Sequence, residues 1–268
     1  ARITGTVGAA GGTPFAIDTV ANANGTWSVT VPAASIPAGE TALNVAVTST
    51  DVAGNSASTS GSIAVDTLNT VTIATSTVET DGVINFAERA DGVVLTGTTQ
   101  PGSSVQVTLG NVTHAATVAA DGTWSANFAA SEIPTGETTL TASATSVDAA
   151  GNAATASGSV EVDTFVRNFA LTSTPGGADG VMNAAEVSQG LTLTGTTEPG
   201  GSVRLTLNGQ TVNASVDASG NWAASFASSQ LPTGETTTVL TAVSTDRAGN
   251  TQTITQNVVI DTDAGRLT

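Results

Sequence analysis

The residues with the most chemical promise in this chain are carboxylates at fixed spacing. "DGVINFAERADG" (81–92) carries Asp81, Asn85 and Glu88, and "DGVMNAAEVSQG" repeats the set as Asp179, Asn183 and Glu186. A second pattern, DxAGN, occurs at 51–55, 148–152 and 246–250, supplying Asp148/Asn152 and Asp246/Asn250. A third is an Asp before Thr at Asp66, Asp163 and Asp261. Several such carboxylates brought together would repel one another strongly at low dielectric. Ca²⁺ resolves that repulsion by taking about six to eight oxygens from carboxylates, Asn and backbone carbonyls. Mg²⁺ suits the set less, given its octahedral demand, and zinc has no Cys and one His, His114, to bind. No complete EF-hand loop is present. Each pattern also fits a plainer role. DxAGN makes a tight hairpin through an Asx-turn, and DGxxNxxE makes a turn followed by a capped helical turn.

The elements that must position these groups come from an internal repeat. Trp27, Trp124 and Trp222 are separated by 97 and 98 residues, and the DxAGN and Asp-Thr motifs keep the same intervals. "ITGT", "LTGTT" and "LTGTT" at 3–6, 95–99 and 193–197 fall into the same frame, as do "IPAGET", "IPTGET" and "LPTGET". Within one unit the pattern is strand and turn. "SVQVTL" (104–109) alternates, "TWSANFA" sets Trp124, Ala126 and Phe128 on one face, and Pro101-Gly102, Gly110-Asn111 and Asp121-Gly122 punctuate the chain. With "VTIAT" (71–75) in front, about seven short strands fill each hundred residues, while "NFAERA" supports at most one helical turn. This predicts an all-β chain of tandem seven-stranded immunoglobulin-like β-sandwiches in a linear array, each Trp filling a core. The units divide as 1–66, a partial repeat lacking its first strand, then 67–163 and 164–261, with 262–268 starting a following repeat. Linkers are almost nil, which implies a stiff string of units.

In a seven-stranded sandwich the chain enters at one pole and leaves at the other. Asp163 and the Asp81/Asn85/Glu88 loop then share the trailing pole of the second unit, against the Asp246/Asn250 hairpin at the leading pole of the third. The first joint gathers Asp66 and Asp148/Asn152 without that loop. The missing loop is expected to reflect a segment cut within a repeat. The alternative is a donor strand supplied by another chain, as in an extracellular fibre.

Composition removes several function classes. The formal net charge is −16, from 22 acidic against 6 basic residues, too few cations to neutralise phosphates or hold an anionic membrane surface. There is no Cys, so no disulfide, thiolate site or Cys nucleophile. No apolar run approaches the ~18–20 residues of a membrane helix, and no signal peptide opens the chain. His114 has no counterpart in the other units, so a Ser-His-Asp triad is unsupported. Recurring carboxylates at the poles argue for structure rather than glycoside hydrolysis, and no enzyme is expected. A carbohydrate-binding array is the rival reading, weakened because all three Trp are assigned to cores and there is no Tyr.

The run "DGVINFAERADGVVLTGTTQPGSSVQVTL", followed by "DGTW", "IPTGETTLTASATSVDAAGNAA" and "VDT", resembles the bacterial Ig-like repeats of giant Gram-negative surface adhesins, the RTX-type and biofilm-associated proteins. The resemblance implies extender modules, exported by type I secretion and displayed outside the cell, with Ca²⁺ stiffening the joints between neighbouring repeats and an adhesive tip elsewhere. The matching positions are Asp66, Asp163 and Asp261 at unit ends, Asp148 and Asp246 in the hairpins, and Asp81/Glu88 and Asp179/Glu186 in the loops. Its partners would be neighbouring repeats of the same chain and other adhesin or fibre chains, with no nucleic acid and no membrane insertion.

Overall fold

The computed structural model describes residues 1–264; the start of a following repeat expected at 262–268 lies largely outside them. The first unit holds β1 (Arg2–Ala9), β2 (Phe15–Val20), β3 (Glu40–Thr50) and β4 (Ser56–Asp66). The second holds β5 (Val83–Ile84), helix α1 (Phe86–Asp91), β6 (Val93–Thr98), β7 (Ser104–Leu109), β8 (Val112–Ala115), β9 (Thr117–Val118), β10 (Thr123–Phe128), β11 (Glu137–Val147) and β12 (Ala153–Asp163). The third follows with β13 (Ala170–Leu171), β14 (Val181–Asn183), α2 (Ala184–Gln189), β15 (Leu191–Thr196), β16 (Ser202–Leu207) and β17 (Gln210–Asn213). It ends with β18 (Ser215–Val216), β19 (Asn221–Phe226), β20 (Glu235–Thr245) and β21 (Thr251–Asp261).

In the second unit the sheets run β5-β12-β11-β7-β8 and β6-β10-β9. Period-two alternation gives each strand one inward face: Val105, Val107 and Leu109 on β7 are buried, as are Trp124, Ala126 and Phe128 on β10. These two rows close on each other with Ile84, Leu95 and Val160 as the core. Each such large apolar side chain contributes roughly 1.5–3 kcal/mol by burial. The expected strand at 71–75 lies along β6 as a single bridge, Val71 to Thr99, extended by Thr72 N–H to the Thr98 carbonyl (2.8 Å) and Ala74 N–H to Thr96 (2.9 Å). The third unit repeats this plan in β14-β21-β20-β16-β17 and β13-β15-β19-β18.

The glycine of "LTGT" is what lets the Trp lie flat on the sheet. A Cβ on Gly97 would sit 2.4 Å from Trp124 Cζ2 and 2.1 Å from the Thr72 carbonyl, and one on Gly195 would sit 2.4 Å from Trp222 Cζ2. Any side chain there would collide with both the indole and the carbonyl of the neighbouring strand. Trp222 Nε1 is satisfied by the Thr196 carbonyl at 3.0 Å.

The first unit departs from two expectations. Its strands form one sheet, β2-β1-β3-β4. Gly5 on β1 stands opposite Val47 on β3, just as Val107 on β7 stands opposite Ala144 on β11. "ITGT" therefore occupies the place of "VQVT" at 105–108, not of "LTGT" at 95–98. What is missing is not one opening strand but also the β6 position, so a facing sheet does not form. The segment around Trp27 consequently has no strand to pair with, and Trp27 is 38% exposed against 2% for Trp124 and Trp222. The same Trp motif buries only where a partner strand exists. Helix content also exceeds the single turn expected, because Asn85 and Asn183 cap six-residue helices.

Candidate metal centre at the second joint

The hairpin between β20 and β21 is built by its own motif. Asp246 accepts from Asn250 N–H at Oδ1 (2.8 Å) and from Asn250 Nδ2 at Oδ2 (2.7 Å), and Gly249 closes the turn at φ 89°. Left-handed backbone of that kind explains the glycine. The hairpin then reaches across to the second unit. Asn250 Nδ2 donates to the Asp163 carbonyl (2.9 Å) and Oδ1 (3.3 Å), and Asn250 Oδ1 accepts from Phe86 N–H (2.8 Å). Asn85, whose side chain caps α1 by accepting from Ala87 and Glu88 N–H, donates its Nδ2 to the Ala248 carbonyl (3.1 Å).

Around this scaffold three carboxylates converge. Asp163 at the end of β12, Glu198 in the turn after β15 and Asp246 each offer an oxygen within 4.8 Å of the others, the one such group among the described residues. Glu198 and Asp246 are 6% and 7% exposed. Glu198 Oε2 accepts from Arg167 N–H (3.0 Å), while the Arg167 guanidinium is spent on Glu137. Burial first, then the like charges of Asp246, Glu198 and Glu137, hold the Asp163 carboxyl above its ordinary range, against a Phe165 N–H that favours the ionised form. The joint thus concentrates negative charge and leaves it undercompensated. Its donors are all oxygens, the chemistry of a hard divalent cation.

The structure does not bring Asp81 or Glu88 into this group. Glu88 Oε2 accepts from Asn85 N–H (2.9 Å), completing a capping box, and Asp81 Oδ1 accepts from Val83 N–H (2.9 Å). Asp179 and Glu186 are used the same way, on Val181 and Asn183 N–H, at the trailing pole of the third unit with Asp261, which accepts from Asp263 N–H. The spacing that suggested a ligand loop is the spacing of a cap, and local hydrogen bonds take it first.

At the first joint Asp148 and Asn152 make the same hairpin, and Asn152 Nδ2 reaches Asp66 Oδ1 (3.1 Å). Desolvation opposes the charge on Asp148, but the side-chain amide of Asn152 and the backbone N–H groups of Asn152, Ala150 and Gly151 outweigh it and hold its carboxyl below the ordinary range. Glu198 was not anticipated from sequence. Its only signal is "TTEPGG" where the preceding unit reads "TTQPGS".

Two family models match the chain: a bacterial Ig domain over residues 84–163 and a bacterial Ig-like domain over residues 173–262. No curated protein matches it. Among solved structures, one from a 1.5-MDa bacterial ice-binding adhesin is 24% identical over 98% of this chain and 87% of its own, with a TM-score of 0.46. A Ca²⁺-stabilized adhesin of an Antarctic bacterium that binds ice is 32% identical over 98% of this chain and 66% of its own, with a TM-score of 0.45. A bacterial immunoglobulin-like domain from the M. primoryensis ice-binding adhesin is 35% identical over 35% of this chain and 95% of its own, with a TM-score of 0.28. The two family matches together take in more than half of the residues, and the chain belongs to the bacterial Ig-like domains, a group of non-enzymatic structural repeats.

Proposed function

We propose that this chain is an extender segment of a large bacterial cell-surface adhesin, displayed outside the cell, in which Ca²⁺ fixes the third unit against the second. The observation that carries the reading is the convergence of Asp163, from one side of the joint, with Glu198 and Asp246 from the other. A bound Ca²⁺ would supply the positive charge that this group lacks. Asp163, Glu198 and Asp246 would hold it, and Asn250 keeps two of those carboxylates in place from between them.

The linker is already anchored on both sides. Gly136 N–H donates to Thr164 Oγ1 (2.7 Å) in the second unit, while Val166 and Phe169 are buried in the core of the third. Neutralising the carboxylates at such a joint removes the main force that would swing it open. The carbohydrate alternative loses support because Trp124 and Trp222, the rings that would form a platform, are buried. Calorimetric titration of Ca²⁺ into the whole chain, with small-angle scattering in Ca²⁺ and in excess EGTA, tests the reading. Binding heat and a more extended envelope in Ca²⁺ are expected. Absent heat with superposable scattering curves would refute it.

A further inference from the structure

The two joints share the DxAGN hairpin and the Asp at the unit end; the first lacks the Asn85 loop that bonds Ala248 and Asn250 at the second, and the two differ again at one turn position. Where the third unit has Glu198, the second has Gln100. An amide replaces a carboxylate, so a hydrogen-bond donor replaces an acceptor. Gln100 Nε2 donates to Glu40, at the start of β3 in the first unit. Asn69, in the linker, donates its Nδ2 to Ser146 Oγ (3.0 Å) and to the Asn152 carbonyl (3.1 Å), and the Asn152 amide in turn reaches Asp66. Ser146 is fully buried and bonded to Thr99 Oγ1 at 2.6 Å, so the linker is tied to a rigid polar cluster and not to a mobile surface group. At this joint Glu40, Asp66 and Asp148 each accept from a side-chain amide, and among the described residues these three carboxylates do not converge within 4.8 Å of one another as those of the second joint do.

We infer that the first joint is a hydrogen-bonded latch that stays closed without a cation, and that the residue at the 100/198 position decides which kind of joint forms. The latch stands on its own contacts; the contrast with the second joint rests on the calcium reading above. One chain then carries two joints of unlike response, one indifferent to calcium and one governed by it.

The absence of Cys allows clean double spin-labelling. Labels at the exposed equivalent positions Ser58 and Thr155 span the first joint, and labels at Thr155 and Thr253 span the second. In excess EGTA the first pair should give one narrow distance distribution, unchanged by Ca²⁺, while the second pair should narrow only when Ca²⁺ is added. Gln100→Ala combined with Asn69→Ala should broaden the first distribution in both conditions and leave the second pair as it was, which also shows that the variant is folded. A first pair that is broad in EGTA and narrows with Ca²⁺ would overturn the latch, as would a first pair that stays narrow in the double variant. A second pair already narrow in EGTA would instead sink the calcium reading and leave the latch standing.

Discussion

Replacing Glu198 by Gln should change stability in opposite directions depending on calcium. The substitution keeps the size of the side chain and an oxygen to accept from Arg167 N–H. It removes one of three carboxylates whose oxygens lie within 4.8 Å of one another. At that separation each like-charged pair costs about 3.5 kcal/mol at an effective dielectric of 20. Screening at a partly open joint reduces the recovered energy to the order of 1 kcal/mol. In EGTA the variant is therefore more stable, with a melting transition about 2–4 °C higher for a cooperative unit of roughly 150–250 residues. In Ca²⁺ at a hundredfold excess over the dissociation constant, the native joint gains about 2.7 kcal/mol. If the variant forfeits that gain, it ends about 1.7 kcal/mol below the native chain, some 3–7 °C lower. Differential scanning calorimetry of both proteins in both buffers reads the crossing directly. A variant that melts lower in EGTA as well as in Ca²⁺ would show Glu198 to be a packing residue, and the electrostatic account of the joint would fall.

Asp163 predicts a matching pH dependence. Its folded carboxyl lies above the ordinary range, so its protonation favours the folded joint, and stability is lost as pH rises from about 4 through that raised value. In EGTA the native chain should accordingly lose stability relative to Asp163→Asn as pH rises from about 4 through that raised value, and excess Ca²⁺ should reverse the difference; a slope untouched by that substitution would place its origin elsewhere. Glu79 sits at φ 49°, left-handed backbone that the third unit fills with Gly177 at φ 60°. Glu79→Gly should raise the urea midpoint by the equivalent of about 1 kcal/mol, relieving both the backbone and the crowding with Glu88, Asp81 and Asp91. Acrylamide should quench Trp27 readily and leave Trp124 and Trp222 shielded, so Trp27→Phe removes the quenchable, red-shifted part of the emission.

Much of this molecule was legible because its information is local or periodic. Alternation along "SVQVTL" and "TWSANF" decides which face of each strand is buried, and the glycines of the DxAGN turns announce left-handed backbone. A strand count also tells which end of a sandwich each loop occupies, and the Asn250 amide bonds both Asp163 and Asp246. Three things escaped. "ITGT" matches "LTGT" in composition, but Gly5 pairs with Val47, and pairing is set across the sheet and not along the chain. Trp27 shares its motif with two core residues, yet burial requires a facing sheet that its own segment cannot encode. Glu198 lies beside a Pro-Gly turn, where a carboxylate reads as solvated surface until the third unit is seated on the second. Asp81 and Glu88 failed in the opposite way: N-cap and N3 of a helix are three residues apart whatever else a loop does, so a cap and a ligand set share one signature.

On the proposed reading, the stiffness of the chain is set by solution conditions as much as by its fold. Linkage gives the second joint about 0.4 kcal/mol when free Ca²⁺ equals the dissociation constant and about 2.7 kcal/mol at a hundredfold excess. The first figure is below thermal energy, so a half-saturated joint still bends; the second shifts the balance towards the closed joint about a hundredfold. A segment with a single cation-governed joint between otherwise latched units therefore straightens over roughly two decades of calcium concentration. Its bending is confined to the linker at 164–169, where the carboxylates of two units face one another. Converting the first joint to the same kind, by Gln100→Glu, should make both bend over that range, and the spin-label pair across the first joint should then broaden in EGTA as the second does. A first joint that stays narrow with the added carboxylate would mean that the turn position does not govern the joint and that the Asn69 contacts alone suffice.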